Sequence, residues 1–217
     1  MAQALDDLLD SLEDADDATR EEAAKALAEL ANPATLDALI GACGDEFWSV
    51  RTRAGWGVAK IGGPKAIEAL IVLFNDPIME VRNEAVAAVV SLGAGQLDRL
   101  LAAMKDERWR VREHAAKACG DLHDSGAVDA LIFACRDRDG AVKSAAAEAL
   151  GKIGDPKAIP ALVKLFRDSS KIVRETAGIA LVAIGQPSVD LLLETLKDKD
   201  FVVRCHAARA LGGMTTD

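Results

Sequence analysis

The chain has 217 residues and a formal charge of −9; half of it is apolar and 28% is charged. That acidic balance excludes general nucleic-acid binding, which needs a basic track to displace counterions, and it disfavours an anionic membrane surface. No stretch long enough to span a bilayer is free of charge, and the four cysteines lie far apart without a CxxC pair, which argues against a transmembrane helix, a disulfide framework or a zinc site.

Residues 1–13 place Leu5, Leu8, Leu9 and Leu12 at helical spacing, with acidic residues between them. This segment reads as an N-terminal capping helix. Asp6, Asp7 and Asp10 occupy a region where a signal peptide would need bases, so a cytoplasmic protein is expected.

From residue 14 onward one pattern returns seven times. An Asp (Asp14, Asp45, Asp76, Asp106, Asp137, Asp168, Asp198) is followed, six positions later, by a base (Arg20, Arg51, Arg82, Arg112, Lys143, Arg174, Arg204). The units are 14–44, 45–75, 76–105, 106–136, 137–167 and 168–197, with 198–217 as a terminal half repeat, all within one expected domain spanning 1–217. Repetition of the charges in every unit rules against a single active site. A ladder of ion pairs between units, with each Asp also capping its helix, is the reading.

Behind the base, each unit shows helical periodicity. Its tenth position is always Ala, from Ala23 to Ala207, which would let helix axes approach closely. Leu27 and its equivalents, then Leu30, Ile61, Leu92, Leu122, Ile153, Ile184 and Met214, continue a predicted core stripe. Turns such as Asn32-Pro33, Gly63-Pro64, Gly154-Asp155-Pro156 and Gln186-Pro187 end this helix and start a second one, for example over Ala158, Ile159, Leu162, Val163, Leu165 and Phe166. Each unit is therefore a helical hairpin.

This pattern resembles the HEAT repeat, in the short bacterial and archaeal form also found in phycobilin lyases. The resemblance runs from Leu5 to Gly213 and implies an all-α, right-handed α-solenoid whose first helices line a concave groove. Geometry turns positions four, five, eight and twelve of each unit away from the core stripe, with positions nine and sixteen on the flank. Trp48, Trp56, Met79 and Trp109 fall on this outward face and are expected to form an apolar patch about 20 Å long, at a repeat spacing near 10 Å. Arg53, Glu84, Arg110, Glu113 and His114 border it.

Function follows from that face. The leading expectation is a non-enzymatic scaffold that grips a protein or peptide in the groove, with no cofactor, no metal and no catalytic residue. The alternative implied by the resemblance is a phycobilin lyase or chaperone holding a linear tetrapyrrole. HEAT-like DNA glycosylases need a basic surface that this chain lacks, and no unit has the His-Glu pair that HEAT-like deoxyhypusine hydroxylases use for iron. Cys43, Cys119 and Cys135 read as apolar fillers, whereas Cys205 is expected in the groove beside His206 and Arg209. His114, His123 and His206 are expected to be solvated or to touch a partner. The ending Thr215-Thr216-Asp217 brings no polar capping helix, so Phe201, Val202 and Leu211 are candidate apolar surface for a homodimer contact.

Overall fold

The computed structural model describes residues 2–93 and 95–214. Every regular element among them is helical. The first helices of the units are α2 (Asp17–Leu30), α4 (Trp48–Ile61), α6 (Met79–Ser91), α8 (Trp109–Asp121), α10 (Gly140–Ile153), α12 (Lys171–Ile184) and α14 (Phe201–Gly213). The second helices are α1 (Ala2–Ser11), α3 (Leu36–Ala42), α5 (Pro64–Leu73), α7 (Leu97–Ala103), α9 (Val128–Ala134), α11 (Ile159–Lys164) and α13 (Val189–Thr195). The described chain divides into two compact units, 1–99 and 100–217, with the division inside α7. In the first unit α4 packs between α2 and α6; in the second, α8, α10, α12 and α14 pack in succession. The ending Thr215–Asp217 lies outside the described residues.

The turns form for the reasons their residues suggest. Gly154 takes a left-handed φ of 77°, Asp155 accepts from the Lys157 N–H at 2.8 Å, and Pro156 opens the next helix. Asn32 repeats the cap on Ala34 N–H at 3.0 Å, but the left-handed residue before it is Ala31 rather than glycine.

The tenth-position alanines are buried in all seven units, as are Leu27, Val58, Val89, Cys119, Leu150 and Leu181. The third row of the expected stripe is different. Leu30 is exposed, and Ile61, Leu92, Leu122, Ile153 and Met214 are half-buried, because these residues fall in or just beyond the last turn, at the edge of the stack. Close approach is also made away from position ten. A methyl on Gly120 would meet the Ala149 backbone at 2.7 Å, one on Gly151 would meet Ala180 at 2.8 Å, and one on Gly57 would meet Leu39 at 2.9 Å and Ala28 at 3.1 Å. Small residues at positions thirteen and fifteen therefore allow close packing at α2–α4, α8–α10 and α10–α12.

The signature charges build the expected ladder over most of the chain. The Arg51 guanidinium spans Asp76 with bonds of 2.6 and 2.9 Å, and its remaining nitrogen donates to the carbonyls of Asp45 and Glu46 at 2.8 and 3.0 Å. Arg20 does the same to Asp45 and Arg112 to Asp137. Lys143 reaches only Asp168, since one ammonium cannot also hold the two carbonyls. Hydrogen bonds from Arg20 hold the Asp45 carboxyl below its usual range.

Two details of the ladder differ from expectation. Each signature Asp accepts from the N–H two residues on, as Asp76 does from Ile78 at 2.8 Å, so it ties the turn while the residue two positions later is the N-cap. Within the second unit the rungs also stop at Arg174. Arg82 keeps its carbonyl contacts, but its Nε is buried without a partner among the described residues. Asp106 is held by Arg108 at 2.8 Å, Asp198 is held by Arg167, and Arg174 donates to His206 Nε2 at 3.3 Å.

Candidate functional site

On the first unit, α4 and α6 present their outward faces side by side. Trp48 is 45% exposed and Met79 56%. Trp56 is half-buried, and its indole N–H donates to Glu84 Oε2 at 2.9 Å, which fixes the ring across the two helices. Arg53, exposed, pairs with Glu21 on α2 at 3.3 Å. Trp56 thus acts partly as a bridge, while Trp48 and Met79 stand in solvent.

Two residues that sequence reading passed over extend this surface. Phe47 and Ile78 are the N-cap residues of α4 and α6, and both remain exposed. Their backbone angles match those of Asp16, Asp139 and Asp200, which fill the same position in other units and cap the helix with a carboxylate. Phe47 and Ile78 supply no side-chain cap. The signal that could have found them is an apolar residue where Ser, Thr, Asp or Asn is strongly preferred.

The second unit carries its own outward residues. Trp109 is 37% exposed, with the Arg110 guanidinium 4.8 Å from its ring centroid. Glu113 pairs with Lys117 at 2.6 Å and is half-buried. On α12 and α14, Ile172, Ile179, Phe201 and Val202 are exposed. A cavity of about 490 Å³ opens between these helices, lined by Ile179, Val182, Ala210, Glu175, Arg209 and His206 among others.

The histidines need correction. His114 is 1% exposed and its Nδ1 lies 2.8 Å from the Arg110 carbonyl oxygen; a short ring on the flank is covered once neighbouring helices pack, so it is not a surface group. His206 is buried for the same reason and stacks on Phe166, centroids 5.5 Å apart. Burial, with Arg174 and Arg209 nearby, lowers its pKa. His123 does sit in a turn, its Nδ1 2.9 Å from the Lys152 carbonyl oxygen.

All four cysteines are free, and burial pushes the thiols of Cys43, Cys119 and Cys135 up to about 12, as suits inert fillers. Cys205 is half-buried on the outward flank of α14.

Set beside known proteins, the chain matches the HEAT-repeat family model over residues 5–90, 97–182 and 163–217. It belongs to the HEAT-repeat family. Similar solved structures include the CpcE–CpcF complex of phycocyanin lyase from Nostoc sp. PCC7120, at 25% identity and TM-score 0.56 over 68% of this chain and 98% of that one. Yeast importin-β aligns at 15% identity and TM-score 0.65, over 98% of this chain and 35% of that one. An engineered protein aligns at 26% identity and TM-score 0.48, over 97% of this chain and 68% of that one. No curated protein matches. The fold class of this HEAT-repeat protein is thus the all-α solenoid expected from its repeats.

Proposed function

We propose that this HEAT-repeat protein is a non-enzymatic scaffold that docks a protein or peptide in the concave groove lined by its first helices. On the first unit Trp48 and Met79 would be the anchors, with Phe47 and Ile78 beside them. The observation supporting this is a set of four large apolar side chains left in solvent on two adjacent helices, two of them at positions where a polar cap is the ordinary choice. On the second unit, taken by itself, Trp109, Arg110 and Phe201 are the corresponding candidates.

The test is selection of peptides from a random displayed library against the immobilised protein. Selected peptides should lose about 30-fold in affinity for the Trp48→Ala, Met79→Ala double variant, the scale of a lost hot spot of about 2 kcal/mol. Helical circular dichroism should stay unchanged. Equal affinity for both proteins would remove this face from consideration.

A second reading, binding of a linear tetrapyrrole, is supported by the similarity to the phycocyanin lyase subunits. Arg53 and Trp48 could pair with propionates and stack on pyrrole rings. Mixing the protein with a bilin and finding its visible absorption unaltered would eliminate it.

A further inference from the structure

We infer that the segment docked on the first unit is basic, a peptide in which an apolar residue is flanked by Lys or Arg. The inference rests on the docking reading above and goes beyond it by assigning the partner's charge.

Charges on the outward face differ in whether they already have partners. In the second unit the outward carboxylates are closed internally: Glu113 by Lys117, Asp121 and Glu148 by Lys152, and Glu175 by Lys171. In the first unit Arg53 on α4 takes Glu21 on α2, and Lys25 takes Glu22 within α2. On α6, Glu80 and Glu84 are both exposed, Glu84 lies against Trp56, and neither has an ion-pair partner among the described residues. Glu84 accepts only the Trp56 indole N–H, which orients one oxygen and leaves the other open.

Glu80 is favoured locally, because it stands in the first turn of α6 where the helix dipole welcomes an anion. Glu84 lies a full turn further on, past that benefit. Two like charges at i and i+4 cost an isolated helix a few tenths of a kcal/mol. A cation arriving from outside would reverse that cost. It would meet a carboxylate pair next to an aromatic face that also attracts guanidinium or ammonium groups. A second copy of this chain, itself at −9, is repelled from such a surface, and an anionic ligand is disfavoured equally.

Two displayed peptide libraries of equal apolar content test this, one with Lys and Arg at its polar positions and the other with Asp and Glu. The full-length protein should enrich binders from the basic library alone. For those binders, Glu80→Gln with Glu84→Gln should weaken affinity about fivefold and flatten its salt dependence, with the helical spectrum intact. Enrichment from both libraries alike, from the acidic one alone, or binding indifferent to the Gln substitutions would overturn the basic partner while leaving the docking surface standing. Enrichment from neither would overturn both.

Discussion

Arginine holds the repeat signature because one guanidinium performs two tasks that one ammonium cannot. Arg112 spans both oxygens of Asp137 at 2.7 and 2.8 Å and also donates to the carbonyls of Asp106 and Glu107 at 2.8 and 2.9 Å. It locks its own turn and the next unit's turn together. Lys143 shows what remains when the fork is absent: the ion pair persists and the carbonyl contacts do not. Arg112→Lys should therefore keep the charge, loosen the hold on the part-buried carbonyls of Asp106 and Glu107, of which Glu107 still accepts from Arg138 at 3.2 Å, and destabilise by about 1 kcal/mol. Urea unfolding reads this directly, and a midpoint equal to wild type would show that the carbonyl contacts contribute nothing. The sequence exposed the pairing because the residues recur in step, but it did not expose the carbonyl half, since backbone acceptors leave no mark in a sequence.

Helix spacing was legible only in part. An alanine at position ten of every unit pointed to close packing, but the close contacts between positions fifteen and thirteen of successive units, where glycine or alanine alternate in register, did not show: Ala28 on Gly57, Gly120 on Ala149, Gly151 on Ala180. No single unit shows this pattern, because the small residue shifts from one side of the contact to the other. Gly120→Ala should force α8 and α10 apart, at a cost of about 1–3 kcal/mol for overpacking. The control is Gly41→Ala in α3, where an added methyl meets nothing within 4 Å and the helix gains about 0.5–1 kcal/mol from reduced backbone freedom. Opposite signs for the two substitutions in one denaturation series would support contact-limited spacing. Destabilisation of similar size in both would refute it.

At the scale of the whole molecule, periodicity and its interruptions divide the labour. The interior repeats because every hairpin must bury the same face against the same neighbour, and so the fold class could be read from the sequence. The outward face does not repeat, so geometry could say which residues point outward but not which of them a partner would use. The clearest interruption sits at the helix caps, where Asp16, Asp139 and Asp200 give way to Phe47 and Ile78 on an unchanged backbone. If Phe47 is kept for docking rather than for stability, substitution should separate the two properties. Phe47→Ala and Phe47→Asp lose the same ring contacts, but the aspartate can cap α4 as Asp16 caps α2, so it should be about 1 kcal/mol the more stable of the pair. Both variants should lose affinity for peptides selected on the native protein. A Phe47→Asp variant that regains stability over Phe47→Ala yet still fails to bind would place the ring's role in recognition. Binding that follows stability across the two would assign Phe47 to the fold instead.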